Sequence, residues 1–188
     1  MTTRRWTVLA VCTANICRSP MMELLLRDRL DESRFEVASA GIKGWPDAPV
    51  DSMVRLELVR LGIDATAFRS RPLRSEHVAL ADVIVTATRE HRSAVLEAAP
   101  GALRKTFTLL ELAALVGSEG PVADIEHDGD LRTLVSAAAR RRSAGPSDVD
   151  VPDPYRRPPE THRRVADLID GATADLAQAF AGLGPHPD

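Results

Sequence analysis

One segment carries most of the chemistry this chain could do: Cys12-Thr13-Ala14-Asn15-Ile16-Cys17-Arg18-Ser19-Pro20. It follows the apolar run of residues 6–11 and precedes the helix-like stretch of residues 21–30, so a strand, a tight loop and a helix start stand in series. In that order the loop N–H groups and the positive end of the helix converge on one point, which suits a tetrahedral anion such as phosphate. The same loop holds a thiol. A cysteine at a helix N-terminus beside an arginine is favoured as thiolate, its pKa lowered from ~8.5 to about 3.5–7.5. The segment can therefore hold a phosphoryl group and attack it. Cys12 is the candidate nucleophile, and Arg18 can grip two equatorial oxygens with parallel hydrogen bonds. Thr13, Ala14, Asn15, Ile16, Cys17, Arg18 and Ser19 form the phosphate cradle.

The loop needs elements to hold it. Residues 35–40, 82–87 and 105–108 read as further strands, and helical patterns separate them. Asp51 can cap a helix whose Val54, Leu58 and Leu61 share a face and which stops at Gly62. Thr88 stands before a second helix that runs through Val95 and Leu96. A last helix follows Pro158-Pro159, with Val165, Leu168, Ile169, Ala172, Leu176 and Phe180 at three- and four-residue steps. Alternating strands and helices imply a parallel sheet covered on both faces, with ligands at the carboxyl ends of the strands, where Cys12 lies. With 188 residues and 44% hydrophobic content the chain makes one α/β domain, residues 1–188. Residues 117–150, with a short helix at 131–139, read as a surface insertion, either mobile or a substrate-shaping lid. Residues 182–188 read as a flexible tail.

Composition narrows the function. A net charge of −3 argues against nucleic-acid binding, and Arg140-Arg141-Arg142 reads as a solvated helix end. Both cysteines lie in one loop, so no disulfide framework is expected and a reducing compartment, the cytoplasm, is. The run at 6–11 is too short for a signal peptide, and nothing approaches the ~18 apolar residues of a membrane span. His77, His91, His127, His162 and His186 show no zinc-like pairing and read as surface residues. Asp153, framed by Pro152 and Pro154, has a restricted backbone that aims its carboxyl in one direction, to act as a general acid or to cap a turn.

Cys-x5-Arg-Ser-Pro with Asn15 and Cys17 inside it, and Asp153-Pro154-Tyr155 later, resembles the low-molecular-weight protein tyrosine phosphatase family. The resemblance covers most of the chain, is clearest in 6–45 and 150–180, and is absent in 117–148. It implies a four-stranded sheet of order 2-1-3-4 and a monomer or weak homo-oligomer. It also makes Asp153 the general acid, and it makes Ser19 the hydroxyl that eases departure of the cysteine sulfur. Asn15 becomes the left-handed brace of the loop, and Trp45 and Tyr155 the aromatic walls of a slot for a phenyl ring. Four features depart from the family pattern. Ala14 stands where the family has glycine, and Phe68 is the nearest counterpart of a bracing histidine. Arg156 replaces a second aromatic and suits acidic surroundings, and Pro46-Asp47-Ala48 follows the wall tryptophan. Cys17 is either a partner for a reversible disulfide with Cys12 or a buried wall residue.

The expected activity is metal-independent and cofactor-free hydrolysis of protein phosphotyrosine through a cysteinyl phosphate, because thiolate, guanidinium and carboxyl together cover attack, charge stabilisation and proton transfer. Two alternatives stay open. Phosphoarginine phosphatases resemble this loop but have threonine where this chain has Ile16, and a phosphate-binding regulator would keep the loop without turnover. Arsenate reductases of the same fold need cysteines downstream of Cys17, and there are none.

Overall fold

The computed structural model describes residues 4–117, 119–122 and 129–187. Its strands are β1 (Trp6–Cys12), β2 (Phe35–Gly41), β3 (Val83–Thr86) and β4 (Thr106–Thr108), all parallel and ordered β2-β1-β3-β4 as the resemblance implies. Side chains alternate across β1: Trp6, Val8, Ala10 and Cys12 enter the larger core, while Leu9 and Val11 enter a smaller one on the opposite face. Burial on both faces is what lets so apolar a strand sit inside a parallel sheet.

Among the described residues there are seven α-helices, α1 (Arg18–Arg29), α2 (Ser52–Arg60), α3 (Ser75–Leu80), α4 (Arg89–Ala98), α5 (Leu109–Val116), α6 (Leu131–Arg140) and α7 (Pro159–Ala181), and two 3-10 helices, Pro100–Lys105 and Arg142–Ala144. The smaller core is closed by Val78 of α3 and Val95 of α4, the larger by apolar faces of the other helices. The expected caps are in place. Asp51 accepts from the N–H groups of Met53 (3.0 Å) and Val54 (3.3 Å), Thr88 accepts from His91 N–H (3.3 Å), and Gly62 ends α2 at φ +81°.

Several expectations need correcting. Within the segment 117–150, residues 131–140 do not lie on the surface, because Leu131, Leu134, Val135, Ala137 and Ala138 are buried in the larger core behind an Asp130 cap. Ser118 and residues 123–128, including His127, lie outside the described residues. The end of the chain does not trail free: Leu183 and His186 are buried, and Trp6 Nε1 donates to the Gly184 carbonyl (2.9 Å). Nor is Arg142 solvated like a helix end. It pairs with Glu111 (3.1 Å), donates to the Thr106 carbonyl (2.8 Å) and covers the Phe107 ring at 4.4 Å. His91, His162 and His186 are buried rather than on the surface, and Leu168 in the last stripe is exposed. No described helix is long and apolar enough to cross a membrane.

Candidate active site

The site forms where β1 stops and α1 starts. Asn15, fully buried, takes the left-handed backbone (φ +59°) that asparagine tolerates. Its Nδ2 donates to Ser19 Oγ (2.9 Å) and Ser39 Oγ (2.7 Å), and its Oδ1 accepts from Arg71 N–H (2.9 Å). Ser39 passes its own hydroxyl hydrogen to Glu23 Oε2 (2.6 Å), and Arg71 Nε donates to the Ser39 carbonyl (2.7 Å). Burial pushes the Glu23 carboxyl up, against the pull of Ser39, Arg71 and Arg27. Ser39, Glu23 and Arg71 thus complete the brace. Phe68, expected as the counterpart of the missing histidine, is a core residue outside it.

Cys12 Sγ lies 3.0 Å from Ser19 Oγ. Because that hydroxyl oxygen accepts from Asn15, its hydrogen is free for the sulfur. Among the described residues, the N–H groups of Thr13, Ala14, Asn15, Ile16 and Cys17 donate to no acceptor, an arrangement that an anion would satisfy. Arg18 closes the loop and is only 5% exposed. Its Nη1 donates to the Val151 carbonyl (3.2 Å) and its Nη2 meets Asp153 Oδ2 (3.2 Å), while its buried Nε has no partner among the described residues. A buried guanidinium with an unmet N–H beside unpaired amides has the donors that an oxyanion would satisfy.

The Asp153 segment is bolted to the carboxyl end of β3. Val151 N–H donates to the Ala87 carbonyl (2.8 Å), and Asp150 accepts from Arg89 N–H (2.7 Å) at the first turn of α4. The Asp153 side chain is about half exposed (54%), and its Oδ1 accepts from Tyr155 N–H (3.3 Å). Tyr155 packs on the larger core, and Arg156, at φ +58°, holds its guanidinium 5.1 Å from the Tyr155 ring centroid.

A second rim comes from the loop after β2. Ile42 N–H donates to the Cys12 carbonyl (3.0 Å) and Lys43 N–H to the Thr13 carbonyl (2.8 Å). Backbones meet so closely here that a Cβ on Gly41 would lie 2.7 Å from the Thr13 carbonyl oxygen, and one on Gly44 2.4 Å from that of Arg71. Ser70 Oγ donates to the Trp45 carbonyl and accepts from Ala48 N–H (3.0 Å), which steadies the loop while the Trp45 side chain stands 55% exposed.

The structure therefore brings together Cys12, Arg18, Ser19, Asn15 and Asp153, with Tyr155 next to the carboxyl. Ile16 is 8% exposed, in the same buried cluster as Cys12 and Cys17, and its carbonyl accepts from Asp51 N–H (2.9 Å). Cys12 and Cys17 are both free and buried, and burial and the Asp51 charge push the Cys17 thiol well up. Sequence reasoning missed Glu23, Ser39, Asp150 and His91. For His91 a signal existed, since Thr88 caps the helix whose third residue it is.

Comparison with known proteins bears on the family and the fold. Residues 7–130 match the family described as low molecular weight phosphotyrosine protein phosphatase. The chain is 36% identical over 117 residues to a protein-arginine-phosphatase of Geobacillus stearothermophilus, covering 62% of this chain and 76% of that one. It is 34% identical over 102 residues to a low molecular weight protein-tyrosine-phosphatase of Acinetobacter johnsonii, covering 54% and 70%. Among solved structures, the Geobacillus arginine phosphatase superposes with a TM-score of 0.69 at 28% identity over 92% of this chain and 91% of its own. A low molecular weight protein tyrosine phosphatase of T. tengcongensis does so with a TM-score of 0.70 at 25% identity over 92% and 98%. The phosphate-shaped loop, the order of the sheet and a match across residues 7–130 lead to one statement: the chain belongs to the low molecular weight phosphotyrosine protein phosphatase family.

Proposed function

We propose that this protein hydrolyses phosphotyrosine on protein substrates through a cysteinyl phosphate. The observation that carries the reading is a single loop that holds Cys12 Sγ, unpaired amides at residues 13–17 and the unpartnered Nε of buried Arg18, with Asp153 3.2 Å from the same guanidinium. The Cys12 thiolate attacks phosphorus as the P–O bond to the phenol breaks, and the carboxyl of Asp153 gives its proton to the departing oxygen. Phosphoryl oxygens take over the guanidinium from Asp153, which leaves that carboxyl free for proton transfer. In the second step the Asp153 carboxylate takes a proton from water, water oxygen bonds to phosphorus, and sulfur leaves with the Ser19 hydroxyl hydrogen bonded to it. Tyr155 and Trp45 supply aromatic walls for the phenyl ring, and the cytoplasm, where thiols stay reduced, suits a free pair of cysteines.

Asp153→Ala is expected to lower kcat for phenyl phosphate about 10²–10³-fold, and that for p-nitrophenyl phosphate, whose phenolate needs no proton, much less. A loss that is equal for both leaving groups would remove Asp153 from the acid role.

Likeness to the Geobacillus arginine phosphatase favours a second reading, phosphoarginine hydrolysis by the same residues. Turnover of matched phosphotyrosine and phosphoarginine peptides decides between them. Ile16 in place of a threonine supports the tyrosine reading, which predicts at least about tenfold higher kcat/KM for the aryl ester; the reverse order would overturn it.

The sulfurs add a redox proposal. Peroxide oxidises the Cys12 thiolate to a sulfenic acid, and attack by Cys17 sulfur then forms a disulfide and expels water. Inactivation should be reversed by dithiothreitol and should consume two free thiols per chain, Cys12 and Cys17. Consumption of a single thiol would contradict the pairing.

A further inference from the structure

A buried histidine lies against the phosphate loop with no part in the chemistry above. We infer that His91 is a positioning residue, holding the residue after the nucleophile in place through the hydroxyl of Thr13; the inference rests on the phosphatase reading of this site. Both ring nitrogens of His91 meet hydroxyls: Nδ1 lies 2.8 Å from Thr88 Oγ1, and Nε2 lies 2.8 Å from Thr13 Oγ1. The oxygen of Thr88 already accepts the His91 backbone N–H, which leaves its hydrogen for Nδ1, and in that tautomer the ring donates from Nε2 to Thr13.

The groups around the ring are Arg18, Glu90, Asp150 and Asp153. Burial and then the Arg18 charge push the imidazole down to about 4, so at neutral pH it is uncharged, with one donor and one acceptor, as the two contacts require. Thr13 is thereby fixed twice. Its carbonyl accepts from Lys43 on the β2 side, and its hydroxyl accepts from His91 on the β3 side. Between these anchors lies the Thr13 amide, one of the unpaired N–H groups of the cradle. Without the imidazole the residue keeps only the carbonyl anchor, and its amide loses its alignment within the cradle. A purely space-filling role would be met equally well by phenylalanine.

The test uses the full chain with p-nitrophenyl phosphate turnover and vanadate inhibition as readouts. His91→Phe is expected to lower kcat and to weaken vanadate inhibition, each about tenfold or more, with KM nearly unchanged. His91→Gln, whose terminal amide can donate to Thr13, should recover most of the loss. Thr13→Val, at an exposed residue, should match His91→Phe, and the double variant should be no worse than either. Wild-type kcat and vanadate inhibition in His91→Phe, or in Thr13→Val where His91→Phe does not fold, would overturn the inference, as would losses that add in the double variant. A wild-type protein without turnover would overturn the phosphatase reading itself, and this inference with it.

Discussion

Cys12→Ser is expected to turn over p-nitrophenyl phosphate at least ~10⁴-fold more slowly while the protein keeps its fold and still binds inorganic phosphate. The substitution changes one atom. Ser19 Oγ, 3.0 Å away, can hydrogen bond to oxygen as it does to sulfur, and Arg18 and the loop amides keep their positions. What is lost is the sulfur nucleophile of the first step and, in the second, a leaving group far better than an alkoxide. Steady-state kinetics, with phosphate binding measured by calorimetry, separates the two properties. A variant that kept more than a hundredth of the activity would sink the covalent route.

Arg18→Lys is the second large effect, a fall of about 10³-fold in kcat/KM although the formal charge is conserved. The guanidinium reaches Val151 with Nη1 and Asp153 with Nη2 at once, and still has Nε to offer. An ammonium on a flexible stem cannot occupy three directions. The Val151 carbonyl would also lose its donor, so the Asp153 segment should loosen, and a weaker leaving-group effect of Asp153→Ala in the Arg18→Lys background would show the two residues working as a pair. Retention of full turnover by the lysine variant would mean that charge alone, and not the planar fork, serves this site.

Local chemistry made much of this arrangement legible. The strand–loop–helix series, the Asp51 and Thr88 caps and the stop at Gly62 each follow from a residue type whose backbone or hydrogen-bonding preference is strong, while the left-handed Asn15 comes from the family resemblance. Elements that bury little were invisible: α3 is six residues long and hides only Val78, too short to show a period. Helix α5 is apolar on nearly every side, with Glu111 its one charged residue, so it shows no clear stripe, and the capping box of Thr108 and Glu111 marks its start. The polar residues of 117–150 suggested an insertion, yet the apolar stripe of α6 finds the core. Contacts between distant segments carry no local signature. Glu23 to Ser39, Arg142 to Glu111 and His91 to Thr13 join residues 16, 31 and 78 positions apart, and each brings a buried polar or charged group to a partner that sequence spacing cannot place.

Gly41 and Gly44 press bare backbone against Thr13 and Arg71, and both ends of that contact are main chain that no rotamer change can relieve. For directed evolution of substrate choice, this divides the rim into two zones. Randomising Trp45, Pro46, Arg156 and Arg157, which project into solvent, should yield many folded, active clones with shifted preferences. Libraries that touch Gly41 or Gly44 should yield almost none.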